Sequence, residues 1–123
     1  MYGAIRAALQ KEKGEFMTIG ELIVSVDSLV SNQVGEAQKY RWINDIEGRV
    51  LCEIHRENPK EIKELTYDSD ELCVPAPYSG MYSLYLVAMI EFFSGNYDEY
   101  TTAIAEFERV FTAYAKYYIR SRR

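Results

Sequence analysis

One histidine, two cysteines, three prolines and one tryptophan in 123 residues leave little room for site chemistry. His55 is the only imidazole, and Cys52 and Cys73 are the only thiols. A structural zinc wants four sulfur or nitrogen donors, and Cys52-Glu53-Ile54-His55 has the spacing of only half a site. None of the seven glycines builds a phosphate-cradling loop, and no serine sits in a nucleophile elbow that His55 could serve as base. Asp68-Ser69-Asp70 opens like a calcium loop. However, Leu72 stands at the next ligand position, Ser79 replaces the bidentate glutamate and the central glycine is missing, so a solvated turn is the plainer account. Glu106 and Glu108 lie two apart on a helical pattern and do not face each other. The most apolar segment, Met81 to Phe93, contains Glu91 and falls short of the roughly 20 residues that span a bilayer. The expectation is a chain with no catalytic, cofactor-binding or metal-binding residues and no membrane partner. Two cysteines without a secretory signal read as free buried thiols in a reduced compartment, with a Cys52–Cys73 disulfide as the alternative.

Cationic excess is lacking too. A net charge of -5 and a pI near 4.9 argue against a protein that grips nucleic acid through its phosphates. The charge is unevenly spread, because residues 113–123 hold Lys116, Arg120, Arg122 and Arg123 and no acid. Such a basic end is either a solvated terminus or a docking tail for an acidic partner surface.

What the chain has in quantity is tyrosine. Eight of its 11 tyrosines lie between Tyr78 and Tyr118, on two helical patterns joined at Ser94-Gly95-Asn96. Tyrosine pairs a large apolar body with a polar tip and so suits surfaces buried at one end and wet at the other. That density points to packing against other proteins.

Hydrophobic periodicity predicts an all-α fold, a small four-helix bundle within one domain. Thr18-Ile19-Gly20-Glu21 has the form of a capping box, followed by Ile19, Leu22, Ile23, Val26 and Leu29 on one face. A second helix is expected from about Glu36 to Glu57, ended by Asn58-Pro59. Tyr40, Ile43, Ile46, Val50 and Ile54 would point inward on it, and Lys39, Asp45, Arg49 and Glu53 outward. Lys60 to Pro77 reads as an irregular or β-hairpin insertion, with two short extended pieces between Glu64 and Val74. An αα-hairpin closes the chain. Its third helix, about Tyr78 to Phe93, is apolar nearly all round and so buried on most sides, and its fourth is capped by Asn96 with Glu99. The stripe Tyr100, Ala103, Ile104, Phe107, Val110, Phe111, Tyr114 and Tyr118 is wider than one partner helix needs. Tyr100, Phe107, Tyr114 and Tyr118 are therefore expected to divide between the core and a neighbouring subunit. Residues 1–16 form an N-terminal extension with two open readings. One is a helix using Ile5 and Leu9; the other is translated leader, because Lys13-Gly14-Glu15-Phe16 can be spelled by a ribosome-binding site just before Met17.

Four motifs in order carry a resemblance: Thr18-Ile19-Gly20-Glu21-Leu22; Tyr40-Arg41-Trp42-Ile43-Asn44 with Glu47-Gly48-Arg49; Val74-Pro75-Ala76-Pro77-Tyr78; and Gly95-Asn96-Tyr97-Asp98-Glu99-Tyr100. Over residues 17–118 the chain resembles the small helical proteins of the head-assembly region of tailed phages and prophages of Gram-positive bacteria, taken to be head–tail connectors or adaptors. The resemblance implies a homo-oligomeric ring, commonly of twelve subunits, at the virion neck, assembled in the host cytoplasm. Such a ring lies between the portal protein and a tail-side neck protein, and DNA passes through it without specific binding. It also implies that the C-terminal segment, residues 119–123 with Tyr117 before it, reaches the portal. Tyr117, Ile119, Arg120, Arg122 and Arg123 are then the docking residues. The alternative is a helical interaction module or small regulator unrelated to virions, which a stable dimer would favour.

Overall fold

The computed structural model describes residues 16–122. It is predominantly helical, with four α-helices and a two-stranded antiparallel sheet. In chain order these are β1 (Phe16–Thr18), α1 (Ile19–Leu29), α2 (Glu36–Arg49), β2 (Glu71–Pro75), α3 (Gly80–Phe93) and α4 (Tyr97–Ser121). A π-helical turn, Val50–Ile54, prolongs α2, and a 3-10 turn, Pro59–Glu61, follows it. Residues 1–15, and with them both readings of the N-terminal extension except at Phe16, lie outside the described residues.

The start of α1 shows how local chemistry sets the fold. The Thr18 hydroxyl accepts from the Glu21 N–H at 3.2 Å and the Glu21 carboxylate accepts from the Thr18 N–H at 3.0 Å, closing the capping box. Two further N–H groups of the first turn, on Ile19 and Gly20, donate to the carbonyls of Asp70 and Asp68 at 3.0 and 2.9 Å. Gly20 is needed for that approach, since a Cβ there would stand 3.2 Å from Asp68 Cβ and 3.3 Å from its carbonyl oxygen. The Asp68-Ser69-Asp70 turn therefore holds a helix terminus. Within it Asp70 accepts from the N–H groups of Thr66 and Tyr67, and Asp68 accepts from the Tyr40 hydroxyl. Burial and the Asp68 carboxylate push that phenol up to about 12. Thr18→Ala should lower stability by about 0.5–2 kcal/mol, read as a shift of the urea midpoint at unchanged slope.

Helix α3 packs against α4, α2 and α1, which is why it is apolar on so many sides. Around its Met81, Tyr82, Leu86 and Ile90 the core collects Ile19, Leu22, Ile23 and Val26 from α1. Trp42, Ile43, Ile46, Val50 and Ile54 come from the second helix, Leu72 and Val74 from β2, and Phe107, Phe111 and Tyr114 from α4. The side chain of Asn44 clips the irregular segment onto α2 through both the N–H and the carbonyl of Leu65.

Several expectations need correction. The insertion does not form a hairpin with itself: β2 pairs with β1, Phe16 opposite Pro75 and Thr18 opposite Glu71. The boundary drawn after residue 16 thus cuts a strand whose partner among the described residues is far along the chain. The second helix ends with its π turn at Ile54, and Arg56, at φ 63, reverses the chain before Pro59 is reached. Lys39 is buried, because its stem lies along apolar surface while its ammonium reaches Asp27 at 2.7 Å. Leu29, at the last turn of α1, is exposed. Asn96 makes no side-chain cap. It follows Gly95 in a tight reversal at φ 84, and its amide donates to Glu91 instead.

Candidate functional site

Three clusters of functional side chains stand out. The first is buried. Glu47 accepts from the Cys73 N–H at 2.7 Å and from the Tyr82 hydroxyl at 2.5 Å, and the same hydroxyl accepts from the Val74 N–H at 3.0 Å. The carboxylate thus ties α2, β2 and α3 together. Burial raises its pKa, against the lowering pull of Tyr82 and Cys73. The neighbouring Cys73 thiol is raised far more strongly, first by burial and then by Glu47, and a thiol so placed is a poor nucleophile. Cys52 and Cys73 are free and half-buried.

The second cluster lies where the π turn meets the end of α4. His55 shares a hydrogen bond of 2.7 Å with the Tyr114 hydroxyl and stacks on Tyr118 with ring centroids 4.2 Å apart. Burial holds its pKa below the usual value, with Arg122 adding to the effect and Glu57 opposing it, so the ring is neutral near pH 7. Arg122 lies over the Tyr118 ring at 4.7 Å and donates to its hydroxyl. On this side a cleft is lined by His55, Arg56, Tyr118, Ile119 and Arg122, with one acid, Glu53, which is engaged by Arg49. Arg120 lines a different groove, with Tyr78, Arg109 and Lys116. Tyr117 rests on Tyr78 at 5.3 Å and lines a further cleft with His55, Tyr118 and Arg122. A helix turns 100° per residue, so positions 120 and 122 cannot share a face.

The proposed docking residues therefore divide between two sides of one helix, with Arg120 on one and Ile119 and Arg122 on the other, while Tyr117 lines a cleft with Arg122. Arg123 lies outside the described residues. The supposed separate tail is also helical through Ser121, so it forms the last turn of α4. Of the expected interface residues, Phe107 is fully buried and Tyr114 is 2 % exposed, both within the subunit's own core. An interface role stays only with the half-buried Tyr100 and Tyr118.

The third cluster, at the α3–α4 turn, escaped the sequence reading. Phe92, Phe93 and Tyr97 are 50 %, 65 % and 60 % exposed. Phe92 packs on Tyr97 and Tyr100, and Phe93 meets the edge of Trp42. A usable signal was the Phe92-Phe93 doublet at a helix end, since two successive positions cannot both face one core. Acids crowd the same tip: Glu91, Asp98 and Glu99, with no basic residue from Glu91 to Glu108. Helix α4 consequently carries Asp98, Glu99, Glu106 and Glu108 in its first half and Arg109, Lys116 and Arg120 in its second, with Arg122 just after it. That order also suits the helix dipole.

Among the described residues no helix is long and apolar enough to cross a membrane. Comparison with protein-family models, with curated proteins and with solved structures finds no match to this chain.

Proposed function

We propose that the protein is a structural, non-enzymatic head–tail connector, a small four-helix bundle that assembles as a ring between the portal and a tail-side neck protein. The observation that carries this reading is the pair of unlike exposed surfaces at opposite ends of α4. One is aromatic and acidic, the other aromatic and basic, and a closed ring uses two different faces of each subunit. The motif resemblance supplies the setting: the virion neck, reached from the host cytoplasm, with portal and neck protein as partners. An acidic body suits a ring around passing DNA, since like charge discourages sticking. The cleft of His55, Arg56, Ile119 and Arg122 takes carboxylates of the portal, because guanidinium groups bind carboxylates in two-pronged fashion.

Truncation after Ile119 tests the docking. Among the described residues it removes only exposed ones, Arg120, Ser121 and Arg122, so thermal unfolding should stay nearly unchanged while attachment to portal-bearing capsids is lost. Attachment of the full chain should also weaken as salt rises. Normal attachment by the truncated chain would remove the docking role. A free chain that is a stable two-fold dimer, and that never decorates capsids, would favour the interaction-module reading instead.

A further inference from the structure

The two ends of the α3–α4 hairpin complement each other in kind and in charge. At the tip, Phe92, Phe93 and Tyr97 are half or more exposed, and their chain neighbours Glu91, Asp98 and Glu99 line a groove beside them with Leu84 and Val87. At the far end of α4, the groove floored by Tyr78, Thr112 and Ala113 is edged by Arg109, Lys116 and Arg120. Its one acid, Glu108, is turned to Arg49 at 3.6 Å, and Arg109 is engaged by Glu106 at 2.9 Å. Lys116 and Arg120 have no acidic partner among the described residues. Tyr78 is the aromatic residue of this groove, and its ring packs on Tyr117 with centroids 5.3 Å apart.

One copy cannot bring its own Asp98 and Glu99 to its own Lys116 and Arg120, because the rigid helix between them holds them roughly 26–33 Å apart. Like pairings are disfavoured as well: tip on tip sets acid against acid, and groove on groove sets cation against cation. We infer that the aromatic, acidic hairpin tip of one copy seats in the aromatic, basic groove of the next. Phenylalanine faces there meet Lys116 and Arg120, and Asp98 and Glu99 reach the same cations. Such a contact is heterologous, so each added copy leaves one free tip and one free groove until a ring closes. It rests on the reading that copies of this chain meet one another, and it names the faces. The cleft around Arg122 lies on the other side of α4 and stays open to a different partner.

A charge exchange between two variants of the full chain tests it. Asp98→Lys/Glu99→Lys makes the tip basic, and Lys116→Glu/Arg120→Glu makes the groove acidic. Wild type should associate in sedimentation velocity. Each variant alone should remain monomeric at concentrations at least tenfold higher, with circular dichroism confirming the fold. An equimolar mixture, and the chain carrying all four changes, should regain association. The inference is overturned if either variant alone associates like wild type, if the mixture does no better than its components, or if wild type stays monomeric at every concentration. Capsid attachment, scored separately, distinguishes the two readings. Ring-bearing capsids formed by wild type and both variants alike would sink this contact and leave the connector reading standing. Tip-to-groove association without any capsid attachment would do the reverse.

Discussion

Replacing Glu47 by alanine is expected to lower the free energy of unfolding by about 3–5 kcal/mol. The carboxylate is buried and serves the Cys73 N–H and the Tyr82 hydroxyl. Each donor left unpaired in the interior costs about 1–3 kcal/mol, and the vacated volume adds to that. Against a total stability of about 5–15 kcal/mol this is a large fraction. Glu47→Gln keeps the volume and one acceptor, so about 1–2 kcal/mol is expected. The amide also changes the pH profile. Burial raises the Glu47 pKa in the folded chain above its unfolded value, so between the two the native state binds a proton that the unfolded state does not. Stability contributed by this group therefore falls as pH rises through that window. Urea midpoints measured from pH 4 to 7 should show that slope in wild type and lack it in Glu47→Gln. An identical profile in both would mean that folding does not shift the Glu47 pKa.

Phe107→Ala and Tyr114→Ala should each cost about 3–5 kcal/mol of monomer stability, the range for truncating a buried aromatic. Phe107 is enclosed, with Tyr85 at 5.2 Å, Phe111 at 5.5 Å and the Arg49 guanidinium at 5.6 Å. Tyr114 packs on Tyr78, Tyr117, Tyr118 and His55, and its loss also leaves His55 without its hydroxyl partner. Tyr100→Ala, at a half-buried site, should cost distinctly less. Thermal unfolding of the three variants at one protein concentration checks the ranking. Equal small losses at Phe107 and Tyr114 would mean that the tyrosine stripe faces outward after all.

Much of the local structure was legible in the residues. The Thr18 capping box, the helix positions, the antiparallel hairpin at Gly95 and the inward apolar faces follow from hydrogen bonding and a 3.6-residue period. What escaped was decided by partners distant along the chain. Lys39 reads as solvent-facing until Asp27 is seen beside it, and Glu47 reads as an ordinary surface acid until Cys73 and Tyr82 arrive from other elements. The stripe on α4 could be counted from sequence but not divided. How far α3 covers Phe107 and Tyr114, and where it ends to leave Phe92 and Phe93 in water, depends on how the helices pack.

The sequence by itself determined which segments become helices, where the first begins, and that charge runs from acidic to basic along the last. Those properties depend on neighbours within a turn or two. Only the tertiary structure decided that β1 closes on β2 across the chain, that Arg120 and Arg122 face different grooves, and that an aromatic tip stands opposite a basic end. Each of these depends on where distant backbone segments meet and on which side of a helix is already covered, and a linear pattern does not encode either.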